Sequence, residues 1–152
     1  MEKLQKTLLV LALMGLFISS YLVYHHYTVV ASGLNAEWCN VNTDVNCDVV
    51  AASKYSEVYG IPVAIIGLLW FIVVVVLAFP FADRILKNKS HLFLLGWSVL
   101  GTIGIASLIR AEFVLGVWCI ACTLTHAAGF GIFSIALINY KIHRKVRDGD
   151  KS

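Results

Sequence analysis

Four long apolar runs, separated by short polar segments, constrain this chain more than any other feature of its sequence. They cover about residues 8–30, 62–80, 92–109 and 118–140. A helix rises about 1.5 Å per residue, so runs of this length approach or exceed the roughly 30 Å hydrocarbon core of a bilayer. Only 14% of the 152 residues are charged, against about a quarter in soluble domains. The pattern predicts one all-α domain, residues 1–152, that forms an integral membrane four-helix transmembrane bundle.

The first run has a basic start, which is also typical of a cleaved signal peptide. Lys3 and Lys6 precede it, but the apolar stretch is longer than a signal core and no small-residue cleavage site follows Leu16–Ile18. His25, His26 and Tyr27 then favour a headgroup-level end, with a histidine metal pair as the alternative. We therefore expect a membrane span rather than a leader.

The longest polar segment, residues 31–60, carries two of the four cysteines, Cys39 and Cys47. Asn and Asp are frequent between them, which is typical of turns, so the segment predicts a mobile outer redox loop. Residues 48–58 then predict a short amphipathic half-helix on the outer face, with Asn46 as its N-cap and Gly60 as its stop.

The basic residues lie mainly on one side of the predicted bundle. Lys54 and Arg110 alone face the other side, and the remaining ten are Lys3, Lys6, Arg84, Lys87, Lys89, Lys141, Arg144, Lys145, Arg147 and Lys151. Because positive loops stay in the cytoplasm, we expect a multi-pass protein of the cytoplasmic (inner) membrane with both termini cytoplasmic. All four cysteines then lie on the extracytoplasmic, periplasmic side. No charged block favours nucleic-acid binding.

The other two cysteines form a Cys-x-x-Cys motif, Cys119 and Cys122, at the predicted start of the fourth span. Helix N-termini stabilise thiolates. Two dithiols on one face predict a relay that passes electron pairs by thiol–disulfide exchange. A membrane quinone is the natural acceptor, because no haem, flavin or iron–sulfur motif is visible.

Two other interpretations of the cysteines remain open. The four could form structural disulfides in a non-enzymatic membrane scaffold, and the sequence allows three connectivities. They could also hold zinc, although Cys39 and Cys47 are too far apart for the usual half-site. We expect no metal.

The ordered motifs resemble the vitamin K epoxide reductase family over nearly the whole chain. They are Cys39-x₇-Cys47, Ser53, the Tyr59–Pro62 entry to the second span, and Cys119-x-x-Cys122. The resemblance is to prokaryotic members, which transfer oxidising equivalents from quinone to a thioredoxin-like protein. The chain ends soon after Tyr140, so we expect that (DsbA-like) partner to be a separate protein on the outer face.

The resemblance also implies roles for individual residues. Cys39 would exchange with the partner, Cys47 would pass electrons to Cys119, and Cys122 would face ubiquinone or menaquinone. The implied quinone site comprises Ser53, Pro62, Val63, Ile66, Trp118 and His126. His126 stands where the animal enzymes have a tyrosine, and would donate to a quinone oxygen or tune Cys122; packing against another helix is its alternative role.

One departure from the animal enzymes concerns the second span. Residues 63–66 contain no polar side chain, where those enzymes have an asparagine. We therefore expect a quinone-dependent, disulfide-forming oxidoreductase, with reduction of vitamin K or another naphthoquinone epoxide as the alternative.

Overall fold

The computed structural model describes residues 2–33, 38–86 and 89–149. Residues 34–37 of the predicted outer loop, together with Lys87 and Lys151 of the charge count, lie outside the described residues. Four helices form the bundle: α1 (Glu2–Ser32), α3 (Val63–Ala78), α5 (Ser90–Leu115) and α6 (Ile120–Gly149). Two short helices, α2 (Cys47–Ala51) and α4 (Pro80–Ile85), and a hairpin of β1 (Glu57–Val58) and β2 (Ile61–Pro62) complete the described elements. The predicted helical membrane bundle is confirmed.

Three of the described helices are long and apolar enough to cross a membrane. They are Lys3–Ser32, Ser90–Leu115 and Ile120–Arg147. Helix α3 is apolar but has 16 residues, about 24 Å at the usual helical rise. It ends at Phe79, which is extended (φ −80°, ψ 144°), because the residue before a proline disfavours the helical region. The count of four crossings therefore stays a prediction.

The core of the bundle lies where α1 packs against α3 and α6, and where α5 packs against α6. Its buried side chains are Leu8, Ala12, Phe71, Val74, Ala78, Leu94, Ala128, Ile132, Ile135 and Ala136. Glycines permit two of the close approaches: a methyl group at Gly15 would overlap the Phe71 ring, and one at Gly101 would overlap Trp70. Small residues serve this purpose in membrane helices.

The third apolar run is longer in the structure than in the sequence-based prediction. Helix α5 continues to Leu115 and ends at Gly116, which is left-handed (φ 67°). The predicted turn at residues 110–117 is therefore mostly helix, and the charged pair Arg110 and Glu112 belongs to its last turns. Glycine after the last helical residue is the usual helix terminator, so the stop lies at Gly116 rather than at the first charged residue.

The predicted outer half-helix is correct only at its start. The side chain of Asn46 caps α2 by accepting from Val49 N–H at 3.0 Å. The helix ends at Ala51, however, instead of reaching Val58. The Ser53 hydroxyl donates to Val50 O at 2.8 Å and accepts from Tyr55 N–H at 3.3 Å, and such local serine bonds compete with helix continuation. Gly60 lies in the tip of the following hairpin.

Candidate redox site

The loop between Cys39 and Cys47 is folded around the side chain of Asn40. The two cysteines form a disulfide. The Asn40 carbonyl accepts from Cys47 N–H at 3.0 Å, and its amide donates to Asp48 Oδ2 at 2.6 Å. Asn42 closes a second turn by accepting from Val45 N–H at 2.8 Å. The Asn- and Asp-rich composition therefore produces a specific hydrogen-bonded loop.

A short parallel bridge joins this loop to the residue before Cys119. Val45 pairs with Trp118. Asn46 N–H donates to Trp118 O at 3.0 Å, and Trp118 N–H donates to Asp44 O at 2.8 Å. Because Asn46 precedes Cys47 and Trp118 precedes Cys119, the bridge brings the two dithiols together.

The sulfur atoms form a compact chain from the loop to α6. The sulfurs of Cys39, Cys47 and Cys119 lie within 4.8 Å of one another, and all three residues are buried. Cys119 and Cys122 are free thiols, and Cys122 is only partly buried. Cys119 sits at the N-cap of α6, where its Sγ accepts from Cys122 N–H at 3.1 Å, which is the position that favours a thiolate.

Hydrogen bonds hold the part of the outer loop around Cys39 and Cys47 in this structure, and the expected mobility of the loop stays a prediction. Cys39 is 0% exposed, and the loop is bonded to Trp118 and to its own turns. Electrons can pass between the two pairs without a swinging segment, because the sulfurs are already neighbours. Access to Cys39 from outside requires the loop to open.

A cavity of about 930 Å³ lies between the helices beneath the dithiols. Of the predicted quinone site, Val63, Ile66 and His126 line it, together with Cys122. His126 is 6% exposed. Most of the other lining residues are apolar, which suits a hydrophobic ring. The structure thus brings Cys122 and three of the six predicted residues to one cavity, and their quinone binding stays a prediction.

The other three predicted residues are not among the described residues that line the cavity. Ser53 is bonded within its own turn, as described above. Pro62 is buried in β2, and the ring of Trp118 contacts Phe113 with centroids 4.9 Å apart. The family resemblance was the signal for these residues, and it does not determine which way a side chain faces.

The order and placement of these cysteines match a known family. Residues 6–137 match the model of the vitamin K epoxide reductase family. The chain belongs to that family. No curated protein matches it in sequence. Membership of the vitamin K epoxide reductase family indicates a membrane oxidoreductase, and the structure contains a buried disulfide beside a free dithiol.

Two histidine–carboxylate pairs, which the sequence did not predict, fasten the outer segment of this family member to α1. His25 Nε2 lies 2.8 Å from Asp48 Oδ1, and His26 Nε2 lies 3.1 Å from Glu57 Oε1. Both histidines are buried. The expected headgroup belt at His25 and His26 is therefore wrong, because the outer segment folds back over the end of α1 and covers both rings.

Glu112 is the other residue that the sequence did not single out. It is 2% exposed, and its Oε1 accepts from Cys119 N–H at 3.4 Å. One of its carboxylate oxygens and the sulfurs of Cys119 and Cys122 all lie within 4.8 Å of one another. These three donors could also hold an ion, so the expectation that the chain binds no metal stays a prediction.

The His25–Asp48 pair provides a test of how the loop is held. Asp48 bonds both His25 and Asn40, so His25→Leu removes one hydrogen bond from a partly buried carboxylate, at a cost of about 1–3 kcal/mol. We expect lower thermal stability and faster reduction of the Cys39–Cys47 bond by a small thiol, followed by timed alkylation and mass spectrometry. Tyr24→Leu, at an exposed position on the same helix, is the control. Equal reduction rates in both variants would show that the pair does not hold the loop.

Proposed function

We propose that this protein is a quinone-dependent oxidase of protein dithiols. It oxidises a thioredoxin-like (DsbA-like) protein and passes the electron pair through two cysteine pairs to ubiquinone or menaquinone. The observation that carries the proposal is the continuous series from a loop disulfide, through Cys119, to Cys122 in the wall of an apolar cavity. A purely structural role does not account for two free thiols, one buried and one partly buried, beside a disulfide.

The geometry supports a separate role for each cysteine. Cys39 receives the electrons from the partner, and Cys47, which also lines the cavity, exchanges with Cys119. Cys122 is the cysteine of the inner pair that reaches the cavity. Each exchange is an attack of a thiolate on a neighbouring disulfide sulfur. A bound quinone supplies the final oxidation, since it takes up two electrons and two protons as the Cys119–Cys122 bond forms.

The outer face around Cys39 suits a protein partner. Trp38 and Val41 flank the cysteine region and are 55% and 65% exposed. Exposed apolar side chains beside a reactive group are typical of docking sites. A partner that binds these side chains is in position to open the loop and reach Cys39.

The proposal includes a topology of four crossings in the cytoplasmic membrane, with α3 as the second span and both termini cytoplasmic. The excess of Lys and Arg on one side supports this orientation. Helix α3 has a 16-residue apolar core, which α4 extends on the charged side. The cysteines then face the periplasmic side, where disulfides persist.

The decisive experiment is anaerobic reduction of ubiquinone-1 or menadione by the purified protein, with a reduced thioredoxin-like protein as donor. We expect stoichiometric loss of quinone absorbance and gain of the donor disulfide. Absence of turnover with both quinones would refute the proposal. Turnover only with a naphthoquinone epoxide as acceptor would make the protein an epoxide reductase instead.

His126 provides a test of the quinone end of the relay. The ring lies in the cavity wall with Cys122, and a histidine there can donate to a quinone oxygen. We expect His126→Phe to raise the quinone KM or lower kcat by about tenfold, which is roughly the loss of one hydrogen bond. Leu108→Ala, at an apolar position of the same cavity wall, is a comparison for packing alone. Kinetics identical to those of the unmodified protein would leave His126 with a packing role.

A further inference from the structure

Glu112 is a buried carboxylate beside the reactive sulfurs, and neither the cysteine relay nor the quinone cavity assigns it a role. It lies in the last turns of α5, and the left-handed residue Gly116 turns the chain back so that Cys119 N–H meets Glu112 Oε1. Its second oxygen, Oε2, is buried without a hydrogen-bond partner in the described part of the chain. A buried unpaired carboxylate oxygen is costly, and ionisable groups within membrane helices commonly mark proton pathways.

Two groups of opposite function lie near the sulfur of Cys119. Cys122 N–H donates to this sulfur at 3.1 Å, which stabilises a thiolate. A Glu112 oxygen lies within 4.8 Å of the same sulfur, a separation that one water can bridge or a rotamer change can close. Activation of a thiol requires two groups. One is a base that accepts the thiol proton, and the other is a hydrogen-bond donor that stabilises the resulting thiolate.

The relay needs such a proton site because every step moves protons with electrons. In the inner exchange, the thiols of Cys39 and Cys47 become a disulfide and the Cys119–Cys122 disulfide becomes a dithiol. Two protons therefore move from the sulfurs of the outer pair to those of the inner pair. In the final step, the dithiol becomes a disulfide, and quinone takes up the two electrons and two protons to become hydroquinone. Water is scarce around Cys119, which is 1% exposed.

We propose that Glu112 is the proton acceptor and donor for Cys119. Glu112 takes up the proton that Cys39 loses when Cys39 attacks Cys47, and its free oxygen passes that proton to the Cys119 sulfur that the attack releases. It takes the proton back as the Cys119–Cys122 bond forms, while the sulfur's electron pair enters the new bond. The proton then leaves through the cavity, which Glu112 itself lines, to the reduced quinone. This inference rests on the proposed function for the identity of the final acceptor, but its thiol chemistry needs only an oxidant of the dithiol.

The first test is Glu112→Gln in the purified full-length protein, assayed with dithiothreitol as donor and ubiquinone-1 as acceptor. Glutamine keeps the volume and the acceptor for Cys119 N–H but cannot take a proton. We expect kcat to fall by about 10²-fold or more at neutral pH, the usual contribution of a general base. The residual rate should rise by about tenfold per pH unit as hydroxide replaces the carboxylate. Asp44→Asn removes an exposed carboxylate of the outer loop and keeps the backbone carbonyl that accepts from Trp118 N–H, so the rate and its pH profile should be unchanged.

A second variant separates proton transfer from folding. Glu112→Ala leaves a space next to the cavity, and we expect formate at millimolar concentration to restore much of the rate, whereas chloride at equal ionic strength does not. A Glu112→Gln rate and pH profile equal to those of the unmodified protein, or a Glu112→Ala defect that formate does not relieve, would overturn the proposal. Loss of activity in the unmodified protein with a chelator, reversed by zinc, would overturn it too, because Glu112 would then be a metal ligand.

A quinone-free assay distinguishes failure of this inference from failure of the proposed function. The dithiol is oxidised by 4,4′-dithiodipyridine, and the released thiopyridone is followed by absorbance. If the unmodified protein does not reduce quinone but its oxidation by this disulfide depends on Glu112 with the same pH profile, the proposed function fails and the inference stands. If the unmodified protein reduces quinone and neither assay depends on Glu112, the inference fails and the proposed function stands.

Discussion

Cys122→Ala is expected to stop quinone reduction completely, with any donor. Cys122 is the thiol of the inner pair that lines the cavity, and without it Cys119 has no partner with which to form the disulfide that releases two electrons. The measurement is anaerobic loss of quinone absorbance with dithiothreitol or a reduced thioredoxin-like protein as donor. We expect a rate equal to the background without protein.

The control for this prediction is Ser134→Ala. Ser134 is exposed on the same helix, and its hydroxyl donates to Phe130 O at 2.9 Å. We expect unchanged turnover. Residual quinone reduction in the Cys122→Ala protein would remove this cysteine from the electron path and assign the cavity another role.

Cys39→Ala is expected to separate the two halves of the relay. Oxidation of the protein partner should be lost, because the partner exchanges with Cys39. Quinone reduction by dithiothreitol should persist, because a small thiol can reach the partly buried Cys122 through the cavity. Equal loss of both activities would show that the order of the relay is wrong.

The same variant predicts a disulfide that can be isolated. Without Cys39, the Cys47 thiol lies within 4.8 Å of Cys119 and attacks the inner disulfide, and no second loop cysteine resolves the product. We expect a Cys47–Cys119 bond after alkylation, digestion and mass spectrometry. Cys47→Ala is the matched control, because it cannot form this bond.

The sequence predicts those parts of the fold that depend on hydropathy and local chemistry. The apolar runs specify the bundle helices, and Asn46 caps α2 as its side-chain chemistry requires. The charged residues Arg110 and Glu112 follow the third apolar run in the sequence, but helix α5 continues past both of them. A helix end is determined by Gly116 and by what can be buried against its last turn, and Glu112 is buried because Cys119 N–H meets it.

The site depends more on contacts between residues that are far apart in the chain, and no local sequence pattern predicts such contacts. The motif order identified the four cysteines and the family. The pairing of Val45 with Trp118, and that of His25 with Asp48, join segments far apart in the chain. Neither has a local pattern, so the sequence does not predict the hydrogen bonds that hold the loop or the burial of His25 and His26.

The Val45–Trp118 bridge also has a consequence for biogenesis. The loop that contains Cys39 is synthesised early, but its backbone partner lies at the start of the last helix. The loop therefore cannot form its backbone pairing with Trp118 until α6 has been synthesised and inserted. Until then, Trp118 does not hold the loop, and folding of the start of the last helix is the event that completes the cluster of four cysteines.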